Sequence, residues 1–333
     1  MYVINDGNCL TVIVIYVDDI LFMSQDCTKL EEFKKHLQSQ LDVKYSGLVE
    51  YCLGINFKQV NGTICMTQES YIRELLSRFN LSDANPVACP MDPSIRLEKV
   101  SRCNSNEEED FPYRQLVGAL NYLATCTRPD IANAVSRLSQ FLNCYGKEHW
   151  IAGKRVLRYL KGTMKFGLVF RSTDEPLYGY TDADWGNSLD DRKSFTGYCF
   201  LLSGSAISWE SRKQCTVALS STEAEYMALS DGTKKAIYLK NLMKELGFKA
   251  RKIEVYTDNI GTIKISENPV FHRRTKHIDI RHHFIRYAIQ DGLIALKHVP
   301  TEDMGADVLT KPLSKVKHYK CLSILGIVDT SAY

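Results

Sequence analysis

Tyr180-Thr181-Asp182-Ala183-Asp184-Trp185 decides how the second half of this chain is read. It closes an apolar and aromatic run that begins at Leu177, so the spacing predicts a strand over 177–181 with a carboxylate at its end. Two further strands are expected at 195–202 and 206–209. A long helix follows over 222–246, opened by a Ser220/Glu223 capping pair and stopped by Gly247. Next come a strand (253–257), helices near 260–266 and 279–290, a strand (293–299) and a helix (303–309). This β-β-β-α-β-α order predicts a mixed sheet flanked by helices, an α/β (mixed α+β) domain spanning 176–315.

Four acids fall at element ends or first turns in that reading: Asp182, Glu225, Asp258 and Asp307. Any one of them alone reads as a turn former, an N-cap or a complement to a helix dipole. Four together, in this element order, have a different meaning. Hard divalent cations take oxygen ligands, and phosphoryl transfer uses metal on both the attacking and the leaving oxygen. Acids at neighbouring strand ends and on an adjacent helix suit two ions about 4 Å apart. Asp184 competes with Asp182, and Glu223 competes with Glu225, but the capping role of Glu223 leaves Glu225 available.

Working outward, the 333 residues are enough for more than one domain. An apolar share of 44% and a charged share of 24% are ordinary for a globular protein, and a net charge of +3 advertises no global affinity for polyanions. Eleven cysteines are scattered without C-x-x-C pairs, which reads as reduced thiols in a cytosolic or nuclear protein. The apolar stretch from Leu10 to Met23 is interrupted by Asp18 and Asp19 and is too short to span a bilayer, so no membrane partner is expected.

The first half divides in two. Residues 1–81 alternate strands and helices around Tyr16-Val17-Asp18-Asp19, two apolar strands joined at an acidic turn. Residues 82–175 begin with a proline-containing linker and a polar, acidic stretch at 101–110, then turn helical from Tyr113. Residues 316–333 are left as a C-terminal tail.

The blocks Tyr-Thr-Asp-Ala-Asp-Trp (180–185), Ala-Leu-Ser-Ser-Thr-Glu-Ala-Glu-Tyr (218–226), Tyr-Thr-Asp-Asn (256–259) and Ala-Asp-Val-Leu-Thr-Lys-Pro-Leu (306–313) resemble the ribonuclease H domain of copia-type retrotransposon Pol polyproteins. Arg192 to Tyr198 and Thr275 to Asp279 resemble it as well. Upstream, Tyr16-Val17-Asp18-Asp19 resembles the palm hairpin of reverse transcriptases. Tyr51-Cys52-Leu53-Gly54-Ile55 is similar to the family's primer-gripping hairpin, and blocks at 113–118, 127–131 and 155–163 are similar to its thumb and connection. The resemblance thus runs along nearly the whole chain.

It implies a ribonuclease H-like domain behind a truncated palm and a helical thumb and connection. The implied activity is metal-dependent endonucleolytic cleavage of the RNA strand in RNA–DNA hybrids. Asp182, Glu225, Asp258 and Asp307 are the implied ligands of two Mg²⁺ or Mn²⁺ ions. Asp18 and Asp19 are the implied ligands of a polymerase site whose third acid is expected upstream of Met1, so that primer extension is not expected. The alternatives are the C-terminal part of a full RNA-directed DNA polymerase, or a nucleic-acid-binding relic without catalysis. His298 is open to two readings, a mobile proton-transfer group or a surface histidine. Arg273, Arg274, Lys276, His277 and Arg281 lie in the most basic stretch and are expected to touch phosphate, or else to form a solvated helix face. Implied partners are the hybrid and the rest of a Pol polyprotein. The implied location is a cytoplasmic virus-like particle, or the nucleus.

Overall fold

In a computed structural model describing residues 1–5, 7, 9–100, 111–249, 251–267 and 279–333, the chain opens on a three-stranded antiparallel sheet. Its strands are β1 (Tyr2–Asn5), β2 (Leu10–Tyr16) and β3 (Asp19–Ser24). The β-branched run of β2 pairs with β3 through a tight turn, with Tyr16 opposite Asp19. Val17 in that turn has φ +51°, unusual for a β-branched residue. Helix α1 (Cys27–Gln40) follows, its N-cap Asp26 accepting from the Thr28 amide at 2.8 Å.

Strands β4 (Tyr51–Cys52), β5 (Ile55–Val60) and β6 (Thr63–Thr67) form a meander, followed by α2 (Glu69–Arg78). Helices α3 (Tyr113–Cys126), α4 (Ala132–Ser139) and α5 (Lys147–Gly162) complete the helical region. Their apolar faces meet α2 in one core containing Ile72, Leu75, Leu116, Leu120, Leu123, Val156 and Leu160. An ion pair is buried beside it. Arg128 holds Asp130 with two hydrogen bonds, at 2.9 and 2.6 Å, and the Tyr159 hydroxyl donates to the same carboxylate at 2.5 Å.

Strand β7 (Phe166–Phe170) then joins the meander by pairing antiparallel with β6. The second half supplies β8 (Tyr178–Ala183), β9 (Phe195–Leu202), β10 (Ser205–Lys213), α6 (Ser221–Glu245), β11 (Ile253–Thr257), α7 (Ile260–Glu267), α8 (Asp279–Gln290) and β12 (Ile294–His298). Helix α9 (Lys315–Ile324) and β13 (Ile327–Asp329) end the chain. The five strands run in the order β10-β9-β8-β11-β12. The first three are antiparallel, whereas β11 is parallel to both β8 and β12. Helix α6 crosses over β8 and β9 with Tyr226, Leu229 and Ala236 buried against Phe200 and Val255. This is the ribonuclease H-like mixed sheet expected from the sequence.

Three expectations change. Residues 303–309 form short 3₁₀ turns, Thr301–Asp303 and Gly305–Leu309, rather than one helix. The turn there must lie close to α9, since a Cβ on Gly305 would stand 2.8 Å from Ile324 Cγ2. Strand β10 runs on to Lys213 because its pairing with β9 continues to Lys213 opposite Phe195. Residues 316–333 are no loose tail: His318, Cys321, Leu322, Leu325 and Ile327 are buried, and β13 pairs antiparallel with β7. The apolar residues of α9 cover the outer face of the sheet and join the chain end to the first-half meander.

No helix among the described residues is long and apolar enough to cross a membrane. No disulfide joins the ten cysteines among the described residues.

Candidate metal centre

Parallel pairing puts two acids at one end of the sheet. Asp182 is the penultimate residue of β8, and Asp258 immediately follows β11, its parallel neighbour. Glu225 comes from the start of α6, where Ser220 Oγ accepts the Glu223 amide at 3.2 Å. The reciprocal half of this cap is shifted by one residue, because Glu223 Oε2 accepts from the Leu219 amide at 2.9 Å. Glu223 is thereby engaged, and Glu225 turns to the sheet. One carboxylate oxygen from each of Asp182, Glu225 and Asp258 lies within 4.8 Å of the others.

Asp307 approaches the same place from the 3₁₀ turn Gly305–Leu309. That turn lies on β9 at Gly197, the residue opposite Asp182, where a Cβ would meet Thr310 Cγ2 at 2.7 Å and Leu309 Cβ at 2.8 Å. The close approach requires glycine there. Thr310 Oγ1 donates to Asp182 Oδ2. Lys311 Nζ is 2.7 Å from Asp307 Oδ1 and 3.7 Å from Asp182 Oδ2, so Asp307 adjoins the other three acids through an ammonium group. Lys317, from α9, lies 3.1 Å from Asp307 Oδ2 and also donates to the Thr301 carbonyl. The Thr301 hydroxyl in turn donates to Asp258 Oδ2 at 2.7 Å.

The charge balance is that of a cation site. Burial pushes the Asp182 carboxyl up to about 7, with Lys311 pulling it down and Asp307 pushing it further up. Glu225 is raised well above the ordinary carboxyl range by burial and then by Asp182 and Asp258. Glu225 Oε2 is buried without a hydrogen-bond partner. An orphaned buried oxygen among converging acids is a costly arrangement that a hard divalent ion relieves, and all-oxygen donors suit Mg²⁺ or Mn²⁺. The residues present therefore fit a divalent metal.

Asp184, the neighbour that competes with Asp182 in the sequence, points into a different set of partners. It accepts from the Phe195 amide and pairs with Arg137 of α4 at 3.0 Å. His298 is exposed at the end of β12, opposite Thr257 and thus at the acid-bearing end of the sheet. Arg281 donates to the Met227 carbonyl at 3.2 Å and lies 3.8 Å from Asp231. Arg273, Arg274, Lys276 and His277 lie outside the described residues. Asp18 and Asp19 are exposed at the β2–β3 turn, and among the described residues no third acid gathers with them in a metal-binding group. Sequence reasoning passed over Thr301, Thr310, Lys311 and Lys317. Lys311 alone left a signal, since it stands four residues after Asp307, a spacing at which side chains meet on a helical turn.

The reverse transcriptase (RNA-dependent DNA polymerase) family profile matches residues 1–93. The Pol polyprotein of transposon TNT 1-94 from Nicotiana tabacum is 40% identical over 96% of the chain. That of transposon RE1 from Arabidopsis thaliana is 40% identical over 98%. The chain covers 24% and 22% of these relatives, about a quarter of their length. Among solved structures, a foamy viral protease-reverse transcriptase in complex with double-stranded DNA matches 87% of the chain and 46% of its own, with TM-score 0.51 and 17% identity. Together with the sheet order, this likeness is one of fold. The chain belongs to the copia-type retrotransposon Pol polyproteins.

Proposed function

We propose that this chain is an endonuclease that cuts the RNA strand of an RNA–DNA hybrid, using two divalent metal ions. The observation that carries this reading is the meeting of Asp182, Glu225 and Asp258, from two parallel strand ends and a crossing helix, within 4.8 Å. Asp182, Glu225, Asp258 and Asp307 would hold the ions, which supply an activated water and stabilise charge on the attacking and leaving oxygens.

The protein groups do the positioning. Thr310 and Thr301 each fix one carboxylate oxygen, of Asp182 and Asp258 respectively, which leaves the other oxygen of each acid for a cation. Burial of Asp182, Glu225 and Asp307 strengthens every interaction with charge that develops at the phosphate. His298, exposed at the same end of the sheet, would carry a proton to or from the cleaved strand. Hybrid would be recognised by groove shape and by the 2′-hydroxyls of the cut strand rather than by base sequence.

The test is cleavage of a hybrid labelled on either strand. Mg²⁺ or Mn²⁺ is expected to support cutting of the RNA strand alone, and EDTA to stop it. Cutting of both strands, or cutting that survives EDTA, contradicts the reading.

A further inference from the structure

We infer that Lys311 is a built-in cation that holds the position between Asp182 and Asp307 in the free protein, and that a second metal ion enters only when this ammonium withdraws. The inference rests on the metal-site reading above.

Two lysines reach Asp307, but they are held differently. Lys317 bonds Asp307 Oδ2 at 3.1 Å and is anchored by the Thr301 carbonyl, and its side chain is only 20% exposed. Lys311 contacts the two acids, at 2.7 Å to Asp307 Oδ1 and 3.7 Å to Asp182 Oδ2. Its side chain is 34% exposed, so it has a route to solvent. Lys311 is thus the movable member, and it lies between two of the acids that would hold the ions.

The three-acid group of Asp182, Glu225 and Asp258 contains no lysine, and Glu225 Oε2 there is unpartnered. Among the described residues no lysine lies in ion-pair contact with Glu225 or Asp258, so a first ion meets its competitor, Lys311, at Asp182 alone. At the Asp182–Asp307 position the competitor is tethered, and tethering gives it a high effective concentration without the entropy cost of capturing a free ion. A divalent ion at ordinary concentration therefore binds that position weakly until the ammonium has another anion to pair with. A backbone phosphate arriving with substrate is such an anion. The second position would then fill when nucleic acid is present.

The test counts Mn²⁺ bound to the full chain without nucleic acid, from the electron paramagnetic resonance of the free ion, near neutral pH. Wild type is expected to bind one Mn²⁺. Lys311→Met is expected to bind two, with the second ion tightened by at least about tenfold. Lys311→Gln carries the same expectation should the methionine variant fail to fold by circular dichroism. Lys311→Arg and Lys317→Met are expected to keep one, because the first restores a cation and the second removes equal charge from the wrong place. Two ions on wild type, one ion on both neutral Lys311 variants, or an equal gain from Lys317→Met overturns the inference while leaving the metal site intact. No ion on wild type overturns the metal site as well.

Discussion

The Arg137 guanidinium lies 3.0 Å from the Asp184 carboxylate, across the seam between the helical region and the second-half sheet. Arg137 also donates to the Thr310 carbonyl at 3.0 Å, and its neighbour Asn133 donates to the Leu309 carbonyl at 3.1 Å. The turn that carries Asp307 is therefore braced from α4. Removing one partner of a buried pair leaves the other charge uncompensated. Arg137→Met is expected to cost about 3 kcal/mol of stability in urea unfolding of the full chain. Adding Asp184→Asn to that variant should recover part of the loss. A loss under about 0.5 kcal/mol would mean the seam is solvated.

Metal-free stability should depend on Asp182 in a defined pH window. Its folded carboxyl is raised by burial to about 7 from an ordinary value of 3.8, so the folded state holds the proton more tightly than the unfolded chain. Between those values the folded state binds more protons, and stability falls as pH rises. Asp182→Asn mimics the protonated acid. The variant is thus expected to gain on wild type from about pH 4 to about pH 7, by a few kcal/mol, on the order of 1.4 per pH unit. Saturating Mg²⁺ should remove the gain. A difference flat with pH in the absence of metal would show that Asp182 keeps an ordinary carboxyl.

Deleting residues 316–333 should be severe. The deletion removes Lys317 from Asp307 and uncovers a sheet face that Leu322, Leu325 and Ile327 bury. At roughly 2 kcal/mol for each of these side chains, the loss is on the order of 5 kcal/mol or more. A thermal melt of the shortened chain within a few degrees of the full one would show that α9 is an accessory.

Primer extension on an RNA template is expected to fail with this 333-residue chain. Asp18 and Asp19 stand on one hairpin, and no third acid among the described residues joins them. Nucleotide addition needs metal on both the attacking and leaving oxygens, which ligands from one side do not clamp. Elongation that disappears in Asp18→Asn would contradict this.

Much of the second-half sheet was legible because its signals are local. Phe195–Leu202 is a mainly apolar and aromatic run, α6 has its cap at Ser220, and strand-terminal acids follow directly from the pattern. The non-local parts were not. Nothing in Phe166–Phe170 names β6 and β13 as its neighbours, since pairing partners some hundred residues away leave no periodicity behind. Lys317 likewise reads as one more surface lysine until α9 folds back onto the sheet. The acids declare themselves by position, whereas the lysines and threonines that hold them depend on the tertiary fold.

The most direct test of the central claim compares wild type with Asp258→Asn in single-turnover cleavage of an RNA–DNA hybrid with Mg²⁺. The substitution removes one charge from the three-acid group without changing volume, and Thr301 can still donate to the remaining oxygen. The expected result is unchanged circular dichroism and melting behaviour, with the rate of RNA cutting reduced by on the order of a hundredfold or more. Cleavage undiminished in a folded Asp258→Asn chain would contradict the assignment of this site.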